Sequence, residues 1–176
     1  MKFALAVAMR PADHFLPMAR AAEEHGYDTI VVPDSVFHPE QVSAPYPYTA
    51  DGQRFWPSDT PFVDPFVAIP AMAAVTRRIR FYPHVLKLAI RHPLLVAKTL
   101  ASAATLSGDR VGFGAGLGWI PEEFAWCHTE YSTRGARMNE ALEVIRLCLS
   151  GEYVEYHGQQ YDFGRLRMSP VPREKV

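Results

Sequence analysis

The chain holds 176 residues, of which 48% are hydrophobic, 12% aromatic and 21% charged, and its 18 Lys and Arg against 19 Asp and Glu leave a formal charge of -1. That is the composition of an ordinary globular protein; it excludes a disordered or membrane-spanning chain, and basic residues dispersed among acidic ones argue against a nucleic-acid partner. The length supports one sizeable core, hence a single domain over residues 1–176.

The opening MKFALAVAMRPADHF passes at once from apolar to polar residues without a small-residue cleavage site, so residues 2–8 read as a first strand and not as a secretory signal. Phe15, Met18, Ala19 and Ala22 then recur at helical spacing before Gly26, which completes one βα unit. DTIVVP (28–33) is a second buried strand, followed by a proline-rich connection and a helix over about residues 65–75. IRFYPHVLKL (79–88) is a third, and His92-Pro93 opens a helix running to Ser107-Gly108. RVGFGA (110–115) is the fourth strand, and Met138, Ala141, Leu142, Ile145, Cys148 and Leu149 share one face of the helix that follows. VEYHGQQYDF (154–163) reads as a β-hairpin turning near His157-Gly158. Four alternating strands and helices predict an α/β fold with a parallel sheet, right-handed crossovers and ligands at the carboxyl ends of the strands.

VGFGAGLGW (111–119) carries glycine at Gly112, Gly114, Gly116 and Gly118, so one face of the fourth strand and its exit is bare. Either another part of the chain or a ligand lies close against it. The connection from Asp34 to Asp64 is long for a βα loop and interleaves prolines with Tyr46, Tyr48, Phe55 and Trp56; these aromatics either close over a substrate or staple the loop to its own body. Asp34 and His84 fall near the ends of the second and third strands and converge with Gly116 and Gly118 on one mouth, which Lys87 also faces if strand alternation holds.

Other chemistries find no footing. The glycines follow the fourth strand and lack the spacing of a dinucleotide fingerprint, and neither a phosphate loop nor a nucleophile elbow is present. The seven histidines show no metal-ligand spacing, so no metal is expected. Cys127 and Cys148 are read as reduced thiols, in keeping with a cytoplasmic location.

The run IRHPLLVAKTLASAATLSGDRVGFGAGLGWIPEEF, followed by RGARMNEALEVIRLCLSGEYVEYHGQQYDF, resembles the bacterial luciferase-like family of flavin and deazaflavin (β/α)8-barrel enzymes. YPYTADGQRFWPSDTPFVDPFVA resembles its actinobacterial branch, which uses coenzyme F420. The resemblance implies a TIM-barrel fold of which this chain supplies about the first four βα units plus a hairpin. It implies hydride transfer between C5 of the deazaflavin and a small-molecule substrate, with FMN-dependent monooxygenation as the alternative. The implied cofactor-binding residues are Asp34, Ser35, His84, Val85, Lys87, Gly116, Leu117 and Gly118, with a non-proline cis peptide joining His84 to Val85. Asp34 and Glu123 become candidate catalytic acids, and Trp119 and Trp56 candidate walls of the substrate pocket. Ser35 and Trp119 stand where the sugar-phosphate dehydrogenases of this group have a catalytic histidine and glutamate, which argues against their substrate.

A complete barrel typically needs about 250 residues. The chain therefore reads as an incomplete barrel, either part of a longer enzyme or a non-catalytic binding or assembly half. Its open first and fourth strands predict a homodimer or aggregate rather than a compact monomer, and the absence of the later strands predicts weak cofactor affinity and no measurable hydride transfer.

Overall fold

A computed structural model describes residues 1–174 and 176. The first βα unit is β1 (Ala4–Ala6) and α1 (Phe15–Glu24); the second is β2 (Thr29–Val32) and α2 (Pro65–Ala74). The third strand is broken into β3 (Arg80–Pro83) and β4 (Leu86–Lys87) and leads through a short 3-10 turn to α3 (Pro93–Ser107). The fourth unit holds β5 (Ala115–Gly116), a short α4 (Pro121–Trp126) and α5 (Arg134–Cys148), and β6 (Tyr153–His157) with β7 (Asp162–Arg167) forms the antiparallel hairpin.

The strands run parallel in chain order: β1 pairs with β2, β2 with β3, and β4 with β5, while an isolated bridge joins Phe81 to Val111. On the outer face Ile30 and Phe81 are cross-strand neighbours, fully buried with Val32, Leu86 and Val111 under Ile69, Met72, Leu100 and Val144 of the helices. Consecutive helices pack side by side, α1 on α2, α2 on α3 and α3 on α5. The inward face is less covered, with Ala4 and Ala6 exposed and Tyr82 half-buried. This is the parallel α/β arrangement expected from the alternation of strands and helices, and it matches the partial (β/α)8 barrel that the resemblance implies.

Local chemistry sets the helix ends. The Asp64 carboxylate accepts from the Phe66 amide at 2.8 Å, with Pro65 in the first turn of α2. His92 caps α3 through its ring nitrogen, and Gly108 closes that helix at φ +67°, a left-handed conformation open to glycine.

Two strand boundaries differ from the sequence expectation. The third strand does not run unbroken over 79–88: it is interrupted at His84 and Val85, whose peptide bond is cis, although the His84 amide still donates to the Val32 carbonyl at 2.7 Å. The fourth strand is laddered only at Ala115–Gly116, with Val111 as an isolated bridge upstream, because glycine contributes no side chain to pack across a ladder. The buried face of α5 is also shifted: Val144 joins Ala141, Ile145 and Cys148, whereas Met138, Leu142 and Leu149 pack at its margin.

Candidate functional site

A cavity of about 550 Å³ opens at the carboxyl ends of the strands, within the range of about 300–1,000 Å³ usual for small-ligand sites. Pro33, Asp34 and Ser35 border it after β2, His84, Val85 and Lys87 at the break and in β4, and Ala115 to Trp119 along β5 and its exit. Tyr46, Tyr48, Phe55, Trp56 and Phe62 of the long connection close one side. Met9, at φ +58°, also reaches the cavity without any sequence signal, and Met138, which the helical spacing assigns to the packed face of α5, reaches it too.

The glycine run is covered mainly by its own neighbour strand. A Cβ at Gly114 would collide with the Pro83 carbonyl oxygen, and one at Gly116 with the Val85 side chain. At Gly118, where φ is +82°, it would press the Phe124 ring at 3.1 Å. Protein atoms therefore lie in the directions the missing side chains would take, while the backbone of Gly116, Leu117 and Gly118 borders the cavity. The packing effect reaches the cavity through Val85. Val85 is 41% exposed and Leu117 44% exposed, and both border the cavity, giving it an apolar floor.

Two ion pairs include residues that border the same cavity. Arg91 donates from both guanidinium nitrogens to Asp34, at 2.7 and 2.9 Å, and the Lys87 amide donates to the same carboxylate at 2.8 Å. The Asp34 side chain is only 2% exposed, so this fork ties the end of β2 to β4 as well as placing a carboxylate at the cavity. Arg91 went unrecognised in the sequence; its signal was position alone, four residues beyond Lys87 and directly before His92-Pro93.

Lys87 Nζ donates to Glu123 Oε1. Glu123 is fully buried, and its other carboxylate oxygen has no hydrogen-bond partner. Burial pushes the Glu123 carboxyl above its ordinary range, against the opposing pull of the Lys87 ammonium. Glu123 does not itself border the cavity; Lys87, with 11% of its side chain exposed, does. Of the two candidate acids, one is thus engaged by Arg91 and the other stands behind a lysine.

The aromatic side is assembled from the loop. The Tyr46 ring lies 5.0 Å from Trp56 and 5.2 Å from Trp119, edge-on or tilted, and Phe55 meets Trp56 at 5.1 Å. The loop is moored to α4 where the Ser43 amide donates to Glu122 at 2.8 Å and Phe37 stacks on Trp126 at 5.4 Å. The aromatics pack on one another and border the cavity together, so stapling the loop and lining the site are one arrangement. Ser35 borders the cavity with only a long contact to the Phe37 carbonyl, 3.5 Å.

Known proteins share this architecture. A protein of Mycobacterium tuberculosis without an assigned role is 41% identical over the whole chain, which spans 61% of its length. An F420-dependent glucose-6-phosphate dehydrogenase of Nakamurella multipartita is 28% identical over 90% of the chain and 43% of its own length. Among solved structures, a monooxygenase from Streptomyces bottropensis superposes with a TM-score of 0.82 at 24% identity, over 99% of this chain and 51% of that one. The oxygenating constituent of 3,6-diketocamphane monooxygenase from Pseudomonas putida, in complex with FMN, gives a TM-score of 0.72 at 19% identity, over 93% and 44%. The model of the luciferase-like monooxygenase family matches residues 3–176, and the chain belongs to that family.

Proposed function

We propose that the chain is the ring-binding part of an oxidoreductase that uses coenzyme F420 and transfers hydride between C5 of the deazaflavin and a small organic substrate. The observation that carries this reading is the half-exposed apolar floor of Val85 and Leu117 at the strand ends, where the cavity opens. A flat conjugated ring would bury that floor, which water solvates poorly. Two dehydrogenases that resemble the chain at 28% identity are F420-dependent, which favours the deazaflavin.

The bound ring supplies the hydride chemistry; the chain supplies position and dryness. In this reading Val85 and His84 support one ring face from the break in the third strand. The backbone of Gly116, Leu117 and Gly118 borders the adjoining edge, and Asp34, fixed by Arg91, places hydrogen-bonding capacity with Ser35 at the margin. Trp56 and Trp119 exclude water on the substrate side. The cavity fits a ring better than a phosphate-bearing tail, because among the described residues the lysine that borders it, Lys87, is already ion-paired. The protein is read as cytoplasmic and homodimeric; among the described residues no helix is long and apolar enough to cross a membrane.

FMN-dependent monooxygenation is the second reading, favoured by the FMN complex of the camphane monooxygenase. Fluorescence titration with F420 and with FMN separates the two. Tighter binding of F420 supports hydride transfer; equal or tighter binding of FMN transfers the assignment to a flavin monooxygenase.

A further inference from the structure

The charges around the cavity cancel in pairs. Among the described residues that border it, Asp34 and Lys87 carry the formal charges at neutral pH, and each has a partner: Arg91 for Asp34 and buried Glu123 for Lys87. A charged ligand would enter a site with no net counter-charge and lose its hydration without compensation. The remaining lining is mostly apolar or aromatic, with Ser35 and His84 as polar neighbours, and Tyr46, Trp56 and Trp119 pack edge-on or tilted along one side. Glu123 occupies one direction of the Lys87 ammonium, which has three N–H donors, so up to two remain for an acceptor in the cavity.

We propose that the cavity takes an uncharged, flat, apolar carbonyl compound, a ketone or enone, whose oxygen accepts a hydrogen bond from Lys87. Glu123 is a positioning residue: it touches no ligand and holds the ammonium at the cavity wall. One ring of the Tyr46, Trp56 and Trp119 cluster offers its face to the ligand's planar skeleton while the others pack against its edge, and Lys87 sets which end carries the oxygen. The assignment rests on the oxidoreductase reading above and turns Lys87 from a ring contact into a substrate contact. It also explains why a sugar phosphate, which would bring two negative charges, suits the site poorly.

The test uses three probes of one shape class without added cofactor: 2-acetonaphthone, 2-ethylnaphthalene and 2-naphthoate, titrated against tryptophan fluorescence. The ketone is expected to bind about tenfold more tightly than the hydrocarbon, the scale of one hydrogen bond from a charged donor, and more tightly than the carboxylate. In Lys87→Met the ketone's advantage falls to within twofold while hydrocarbon binding persists. The carbonyl stretch of the bound ketone, displaced to lower wavenumber in the wild type, returns toward its value in apolar solvent. If Lys87→Met does not fold, Lys87→Met with Glu123→Leu, which removes both charges, replaces it. Preference for naphthoate, a ketone advantage that survives the loss of Lys87, or no binding of any probe overturns the proposal. A parallel F420 titration keeps the two readings apart: loss of F420 affinity in the lysine variant, with no change in the ketone-to-hydrocarbon ratio, returns Lys87 to the ring. Failure of the wild type to bind F420 leaves the probe result standing and counts against the cofactor reading alone.

Discussion

The floor and the wall of the cavity are built by opposite means. The floor is made of strand ends, and its polar groups are held by charge: Asp34 is gripped by Arg91 and by the Lys87 amide, and Lys87 by Glu123. The wall is made of the long connection after β2, joined by Trp119 at the exit of β5, and its aromatic rings meet edge-on or tilted, with Tyr48 82% and Phe55 63% exposed at its rim. A buried ion pair fails abruptly when one member is removed, whereas an aromatic cluster loses its members one at a time. Under the proposed function, this contrast would divide the labour: the floor would fix the ring and the wall would select what lies above it.

The floor breaks most severely at Glu123. Glu123→Ala leaves the Lys87 ammonium buried without its partner and is expected to cost about 3–5 kcal/mol in urea denaturation, while Lys87→Met with Glu123→Leu recovers most of that loss. The pair also predicts a pH dependence. Because the folded carboxyl is raised above 4.5, the folded chain holds this proton more tightly than the unfolded one. Its contribution to stability is therefore fully present below about 4.5 and is lost as pH rises through the raised folded value. Glu123→Gln removes that component from a plot of stability against pH; an unchanged profile would show that the carboxyl does not titrate with folding.

Next in size is Gly114→Val. The new Cβ meets a backbone carbonyl, that of Pro83, which cannot rotate aside as a side chain can, so the loss is expected at the upper end of overpacking, about 3 kcal/mol by the same denaturation assay. At the rim of the wall the effect nearly vanishes. Tyr48→Ala removes a largely exposed ring and is expected to move stability by less than about 0.5 kcal/mol. A loss comparable to that of Gly114→Val would mean that the wall, too, is part of the framework.

The wall and floor were unequally legible in the sequence. Helix starts at Asp64-Pro65 and His92-Pro93 carry their signals locally, in a capping side chain followed by proline, and both appear where they were read. The meeting of Asp34, His84, Lys87 and Gly116 follows from strand alternation and parallel order. The fork from Arg91 to Asp34 spans 57 residues and depends on the register of two strands, which no local pattern encodes. Glycine at every second position announced a close approach at 112–118 but not what approaches: the structure puts Pro83 and Val85 there. The same spacing was read as a longer strand than exists, because bare positions leave the ladder without side-chain support.

Gly116 is where floor packing and ring binding meet, since valine there would drive its branches into Val85 and push that side chain toward the cavity. The decisive measurement is the F420 affinity of Gly116→Val against the wild type, taken on the folded fraction established by denaturation. If Val85 and Leu117 form the bed of the ring, affinity falls at least about fivefold, equivalent to about 1 kcal/mol, while stability suffers less than in Gly114→Val. A variant that loses stability as heavily as Gly114→Val yet keeps wild-type affinity in its folded fraction would show that the glycine serves strand packing alone, and that the ring does not lie on this floor.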